Sequence, residues 1–299
     1  MQTSDAAREA VLRAVLSRTP GMADILRAPY RVTQLPGLTN ATFRIDTAGG
    51  SFAVQLPRNA MAGGAARGAA IAATRLADAL GIGAPVVHAE ADTGAIVTRW
   101  AVDAFPATAE RLRRTPGALA AVAACFARLH GSGARLARRF DPLAAIADLA
   151  ARAAADALSP ALLAGLARAR SEFARFASDA VPIHGDPVPA NLLATPSGIV
   201  LIDWDYAGMG DPAWDIAYFA LEAGLTAAEE QALAAAHGAP GLGPRRLMLN
   251  RMTAAALAAL WGMDRMRSQP VPDLTSWIAA RREQGVAIAT TLYGSDGSG

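Results

Sequence analysis

Apolar and polar positions follow two textures along this chain. Between Tyr30 and Trp100 the apolar residues fall in short β-rich runs: Tyr30–Leu35, Ala41–Asp46, Ser51–Leu56, Val86–Ala89 and Ala95–Trp100. Turn-forming residues such as Ala48-Gly49-Gly50 separate them, so the runs predict strands. One segment, Ala65–Leu80, instead spaces Ile71, Leu76 and Leu80 along a helical side. Ser4 followed by an Ala/Val/Leu-rich run to Ser17 predicts a capped first helix. Beyond Pro106 helical texture dominates, with helices expected over Pro116–His130, Pro142–Leu158 and Pro160–Ala177. A motif-bearing loop and a small hairpin follow, Leu192–Ala194 with Gly198–Asp203. Helices then resume from about Asp211 to Tyr293, interrupted at Gly238–Pro244. The Gly/Ser-rich end, 294–299, reads as a disordered tail. No internal repeat is visible. The order is a small β-rich lobe, 1–101, and a larger, mostly helical lobe, 102–293, an α+β arrangement with room for a ligand between the lobes.

Composition changes this picture in two ways. The apolar fraction of 53% looks membrane-like, but alanine supplies about a quarter of the 299 residues. The longest apolar runs, such as Ala118–Ala127, fall far short of the ~20 residues a membrane-spanning helix needs. The start, Met-Gln-Thr-Ser-Asp, has no apolar leader region, so a cytoplasmic location is the expectation. A formal charge of +2 is too balanced to suggest nucleic-acid binding, and no membrane partner is expected. A single cysteine, Cys125, excludes an internal disulfide or a multi-cysteine zinc site. The second change is an absence: every basic residue besides histidine is arginine, and there is no lysine.

The residues that carry chemistry lie before and after the predicted hairpin. His184-Gly185-Asp186-Pro187-Val188-Pro189-Ala190-Asn191 is followed by Ile202-Asp203-Trp204-Asp205 at the end of an apolar strand. A carboxylate such as Asp186 can take the proton of an attacking hydroxyl. An amide oxygen and a second carboxylate, Asn191 and Asp203, are hard donors suited to Mg²⁺, the ion that bridges ATP phosphates. A lone His-Gly-Asp would be only a turn. With the spacing to Asn191, the hairpin and Asp203 in register, the set reads as half of a phosphotransfer site. His184 reads as a scaffold residue. Asp211, with Pro212 behind it, reads as a helix N-cap, and Asp215 as structural. His130 reads as a helix-terminal residue, Cys125 as core, and neither His88 nor His237 shows a partner.

These motifs resemble the aminoglycoside phosphotransferase and choline kinase superfamily, and most nearly its bacterial choline kinase type. Leu201-Ile-Asp-Trp-Asp-Tyr-Ala-Gly-Met-Gly-Asp-Pro-Ala-Trp-Asp215 is similar to that group's DWEYAGMNDP signature, with Asp205 where Glu is usual. Leu35–Arg44 resembles its phosphate loop, Leu80–Pro85 the turn after its first large helix, and Leu257–Met263 a helix lining its substrate pocket. The resemblance, from about Gln34 to Met266, implies a two-lobed protein-kinase-like fold and an enzyme that uses ATP and Mg²⁺. It implies Asp186 as catalytic base and Asn191 and Asp203 as Mg²⁺ ligands. It places Gly37, Leu38, Thr39, Asn40, Gln55, Thr98 and Trp100 at the nucleotide.

The pattern breaks at one ion pair. The strand position that carries an ATP-holding Lys or Arg in the family is Gln55, and the paired Glu position is Ala70. Losing both members is self-consistent, because losing one alone would leave an unpaired charge. Either the chain is a catalytically impaired, pseudokinase-like binding protein, or another group, such as Arg44, Arg58 or Arg67, reaches the phosphates. The survival of Asp186, Asn191 and Asp203 favours an active small-molecule kinase. For the acceptor, Asp205, Tyr206 and Trp261 are the expected contacts, since aromatic faces and a nearby carboxylate recognise quaternary ammonium groups. A small cationic alcohol such as choline is the first expectation, with a thiamine- or aminoglycoside-type acceptor as the alternative. Oligomeric state is not legible.

Overall fold

The structure is a computed structural model that describes residues 5–22, 27–37, 40–57, 64–154, 156–268 and 274–294. Ser4, Leu38, Thr39, Arg58, Asp273 and the tail from residue 295 lie outside the described residues. The chain divides into two compact units. The first comprises Met1–Pro106, Leu136–Arg138 and Asn191–Ala207, and the second the remainder. The stretch read from sequence as one lobe from residue 102 onward therefore contributes the hairpin region to the first unit.

In the first unit, strands β1 (Arg31–Leu35), β2 (Asn40–Thr47), β3 (Gly50–Pro57), β4 (Val86–Ala89) and β5 (Ile96–Arg99) form an antiparallel sheet in the order β1-β2-β3-β5-β4. Period-2 alternation buries Phe43, Ile45, Phe52, Val54 and Leu56 on one face. That face packs on Leu12, Val15 and Leu16 of helix α1 (Asp5–Arg18), with Met22 beside them. A bidentate contact of Arg18 on Glu90, 2.8 Å for each bond, fixes α1 to the loop after β4. Helix α2 (Gly64–Ala79) ends with Ala77 O accepting from both Ile82 N and Gly83 N. A second small sheet joins β6 (Phe105–Pro106), β8 (Leu192–Thr195) and β9 (Gly198–Leu201), and Gly83 forms an isolated parallel bridge to Leu201.

The second unit is built on helices α3 (Ala109–Arg114), α4 (Ala118–His130), α5 (Pro142–Ala150), α6 (Pro160–Phe173), α7 (Pro212–Ala223), α8 (Ala227–His237), α9 (Pro244–Ser268) and α10 (Leu274–Tyr293). Thr108, Asp141, Ser159, Asp211 and Thr226 each accept a backbone N–H at a helix start. A short antiparallel pair, β7 (Val181–Ile183) with β10 (Gly208–Gly210), brings the two ends of the motif region together. Close approach is essential there: a Cβ on Gly210 would lie 2.5 Å from Ile183 Cδ1.

Several boundaries depart from the sequence expectation for physical reasons. The helix expected over Pro142–Leu158 ends at Ala150, and Ala157 and Leu158 lie in the core cluster with Leu162. The helix expected from Pro116 begins at Ala118, since Gly117 sits at φ 77°. Gly224 at φ 66° separates α7 from α8. Strands β6, β7 and β10 were not anticipated, because segments of two or three residues carry no readable alternation.

Candidate active site

Asp186 lies in the second unit, just after β7. Its loop is suspended from Asp215, in the first turn of α7. The Asp215 carboxylate is fully buried and accepts from His184 N at 2.8 Å through Oδ2 and from Gly185 N at 3.0 Å through Oδ1. Burial alone would raise its pKa, but the hydrogen bond from His130 and the neighbouring donors outweigh it, so the carboxyl sits below its ordinary value. Trp214, the preceding residue, donates Nε1–H to Gly185 O at 2.9 Å. Gly185 adopts φ 84°, which lets this one residue present its N–H to Asp215 while its carbonyl meets the indole. His184 is fully buried, and its Nδ1 accepts from Asp186 N at 3.2 Å. The scaffold role read for His184 and the structural role read for Asp215 match these contacts. Asp211 caps α7 through Ala213 N and also accepts from Arg246 and Asn250.

In the first unit, a pair of carboxylates meets a pair of side-chain amides. Asp203 follows β9 and adopts φ 64°, a left-handed conformation uncommon for a residue with a Cβ but tolerated best by Asp and Asn. Gln55, on β3, donates Nε2–H to Asp203 Oδ1 at 3.0 Å. Asn40, at the start of β2, donates to Asp205 Oδ2 at 2.7 Å and to Asp203 Oδ1 at 3.4 Å. Burial and the Asp205 charge raise the Asp203 pKa to about 6, and burial also raises that of Asp205. Asn191 ends a short 3₁₀ turn, Pro189–Asn191, and its carbonyl accepts from Ile202 N, so β8 and β9 hold Asn191 next to the residue preceding Asp203. Asn40 and Gln55 offer the two carboxylates neutral amide donors, while the Arg138 charge lies near Asp205 and works against the rise in its pKa; such oxygens are chemically suited to a hard cation. Magnesium uses one or two carboxylates plus phosphate and water, so it needs no all-protein cage. Among the described residues no cluster of three or more His, Cys, Asp or Glu forms such a cage.

Four of the residues singled out from sequence thus come together: Asn40, Gln55, Asp203 and Asp205. Thr98 pairs with Ala53 in the sheet, and Trp100, just after β5, lies under the Arg44 guanidinium at 4.7 Å. Gly37 is exposed. Tyr206 has the Arg138 guanidinium 5.8 Å from its ring centroid, while Arg138 also donates to Asp205 O. Trp261, on α9 in the second unit, meets Trp277 edge-on at 6.3 Å. Glu222, which receives Trp277 Nε1 and both arms of Arg281, lies in the same cluster and carried no signal in sequence. Among the arginines weighed for the phosphates, Arg44 bonds Asp46 at 2.8 Å. Two histidines also gave no warning. His130 and His237 form a buried pair that extends from Asp215.

The fold is of the protein-kinase-like class seen in phosphotransferases. The chain belongs to the APH phosphotransferase enzyme family, whose model matches residues 31–249. A LicA homolog from Metamycoplasma hominis is 32% identical over 89 residues, 30% of this chain and 35% of that protein, so the match spans about a third of the relative. A choline/ethanolamine kinase family protein from Mesorhizobium loti superposes with a TM-score of 0.75 at 26% identity, covering 95% of this chain and 99% of that one. The GDP complex of aminoglycoside 2'-phosphotransferase-IIIa superposes with a TM-score of 0.64 at 17% identity, covering 93% and 98%, a likeness of fold. Among the described residues no helix is long and apolar enough to cross a membrane.

Proposed function

We propose that this chain transfers the γ-phosphoryl group of ATP to the hydroxyl of a small cationic alcohol, with choline-like compounds as the first class to test. The observation that supports the reading is the double suspension of the Asp186 loop from Asp215, the kind of anchoring a general base needs. In this reading Asp186 takes the hydroxyl proton. Asn191 and Asp203, with Asp205 beside them, hold Mg²⁺, which when bound neutralises charge on the transferring phosphate. The nucleotide lies along Gly37–Asn40, Gln55, Thr98 and Trp100. Trp261, Tyr206 and Asp205 are the acceptor contacts proposed. The choline-type acceptor is supported by the likeness to the choline/ethanolamine kinase family protein.

A second reading has support of its own. Gln55 spends its amide on Asp203, so the position that holds a cation elsewhere in the family contributes none here. A binding protein without turnover would tolerate that. The two readings separate in one assay: ATP turnover with Mg²⁺ over a panel of amino-alcohols, thiamine and aminoglycosides, alongside nucleotide binding. Turnover of an amino-alcohol supports the kinase reading. Nucleotide binding with no turnover on any acceptor supports the second and overturns the first.

A further inference from the structure

His237 terminates α8, far along the sequence from the catalytic loop, yet a run of buried hydrogen bonds connects the two. His237 Nδ1 accepts from Ala239 N at 3.3 Å. A neutral imidazole has one donor and one acceptor nitrogen, so the His237 proton must sit on Nε2. That nitrogen lies 2.9 Å from His130 Nδ1, which must therefore accept. The His130 proton is then on Nε2, 3.0 Å from Asp215 Oδ2. The run is pinned from both ends, because the Ala239 peptide N–H and the acceptor-only Asp215 carboxylate demand the same two tautomers. Phe126, stacked on the His130 ring at 5.9 Å and 6° between planes, holds the ring orientation. The charged and titratable groups facing His237 are His130 from α4 and Asp215 from α7.

We propose that His237 is a positioning residue for the catalytic loop: by donating to His130 Nδ1 it holds that ring in the tautomer and orientation that donate to Asp215, and Asp215 in turn holds the backbone of His184 and Gly185 beside Asp186. An outlying partner that sets a histidine's tautomer commonly controls the geometry of the groups that histidine serves. Without the His237 donor, His130 Nδ1 is left a buried acceptor with its partner removed, and the ring is held at one end only. The His130 bond to Asp215 would then weaken, and the loop Asp215 suspends would loosen.

The inference rests on the proposed role of Asp186, so its test includes a readout independent of turnover. His237→Leu removes the donor. His237→Gln retains an amide that can donate to His130 and accept from Ala239. Amide hydrogen exchange at His184 and Gly185 should accelerate about tenfold in His237→Leu, the scale of one lost buried hydrogen bond, and return toward the parent rate in His237→Gln. With an amino-alcohol acceptor, kcat should fall about tenfold in His237→Leu with KM for both substrates unchanged, and His237→Gln should restore it. Unchanged exchange at both amides in a folded His237→Leu protein would overturn the proposal. So would equal losses in the two variants. Accelerated exchange together with an absence of turnover in the parent protein would uphold the positioning role while removing the kinase reading.

Discussion

Gln55 Nε2 donates to Asp203 Oδ1 at 3.0 Å, so the strand residue at the expected cation position serves the carboxylate proposed to bind metal. Ala70, at the position of the partner Glu, has no side-chain acceptor; only its backbone carbonyl is used, by Thr74 Oγ1 one turn later. Gln55→Leu should preserve packing on β3 and remove one donor from Asp203. A hydrogen bond to a charged group contributes about 1.5–3 kcal/mol, so kcat/KM should fall roughly 10- to 100-fold. Gln55→Lys keeps the donor and adds the charge, and ATP affinity measured by calorimetry should rise. An unchanged affinity would mean that another cation already meets the phosphates.

Asp186→Asn tests the base assignment. The amide keeps the size of the side chain and cannot accept a proton. A general base contributes about 10²–10⁴-fold, so kcat should drop by that order while nucleotide binding holds. Turnover at the parent rate would show that Asp186 is not the base.

Asp215→Ala tests the suspension of the loop on its own. It removes an acceptor of three buried donors: His184 N, Gly185 N and His130 Nε2. Each donor left unsatisfied costs about 1–3 kcal/mol, so urea unfolding should report a loss of about 3 kcal/mol or more. A loss under 1 kcal/mol would mean that water replaces the carboxylate at little cost.

Much of the fold was legible because its elements are long and periodic. Each strand of the five-stranded sheet lies within two residues of its expected span, and α2 within one, since alternation and helical spacing both report a buried face directly. The motif loop was legible because Asp186, Asn191 and Asp203 lie close in sequence. What sequence could not show was partnership across long separations. Gln55 and Asp203 are 148 residues apart, and His130 and His237 are 107 apart, so no local pattern joins them. Glu222 and Arg281, 59 residues apart, likewise form a nearly buried pair that no local pattern announces. Alanine-rich composition hid the early end of α5, because alanine favours helix wherever it occurs and gives no stop signal.

The histidine pair makes a prediction about stability as well as catalysis. Burial and the neighbouring His130 ring lower the His237 pKa to about 4, with Asp215 pulling weakly the other way. In the unfolded chain the same ring titrates near 6.5. Above that value the ring is neutral in both states and its contacts contribute fully. As pH falls from about 6.5 toward about 4, the unfolded chain takes up a proton that the folded chain refuses, so stability declines across this window. Allowing for screening of a ring that is only partly withdrawn from water, the decline due to His237 should be about 1–2 kcal/mol. Glu90 and Glu229, both lowered to about 2, add their own losses as pH falls through the range between the ordinary carboxylate value and about 2, mostly below the His237 window. His237→Gln cannot take up this proton. Its unfolding free energy, followed by urea titration between pH 7 and 4, should therefore fall less steeply than the parent's. Parallel curves would show that His237 is solvated as freely in the folded chain as in the unfolded one, contrary to its place between His130 and the Ala239 peptide.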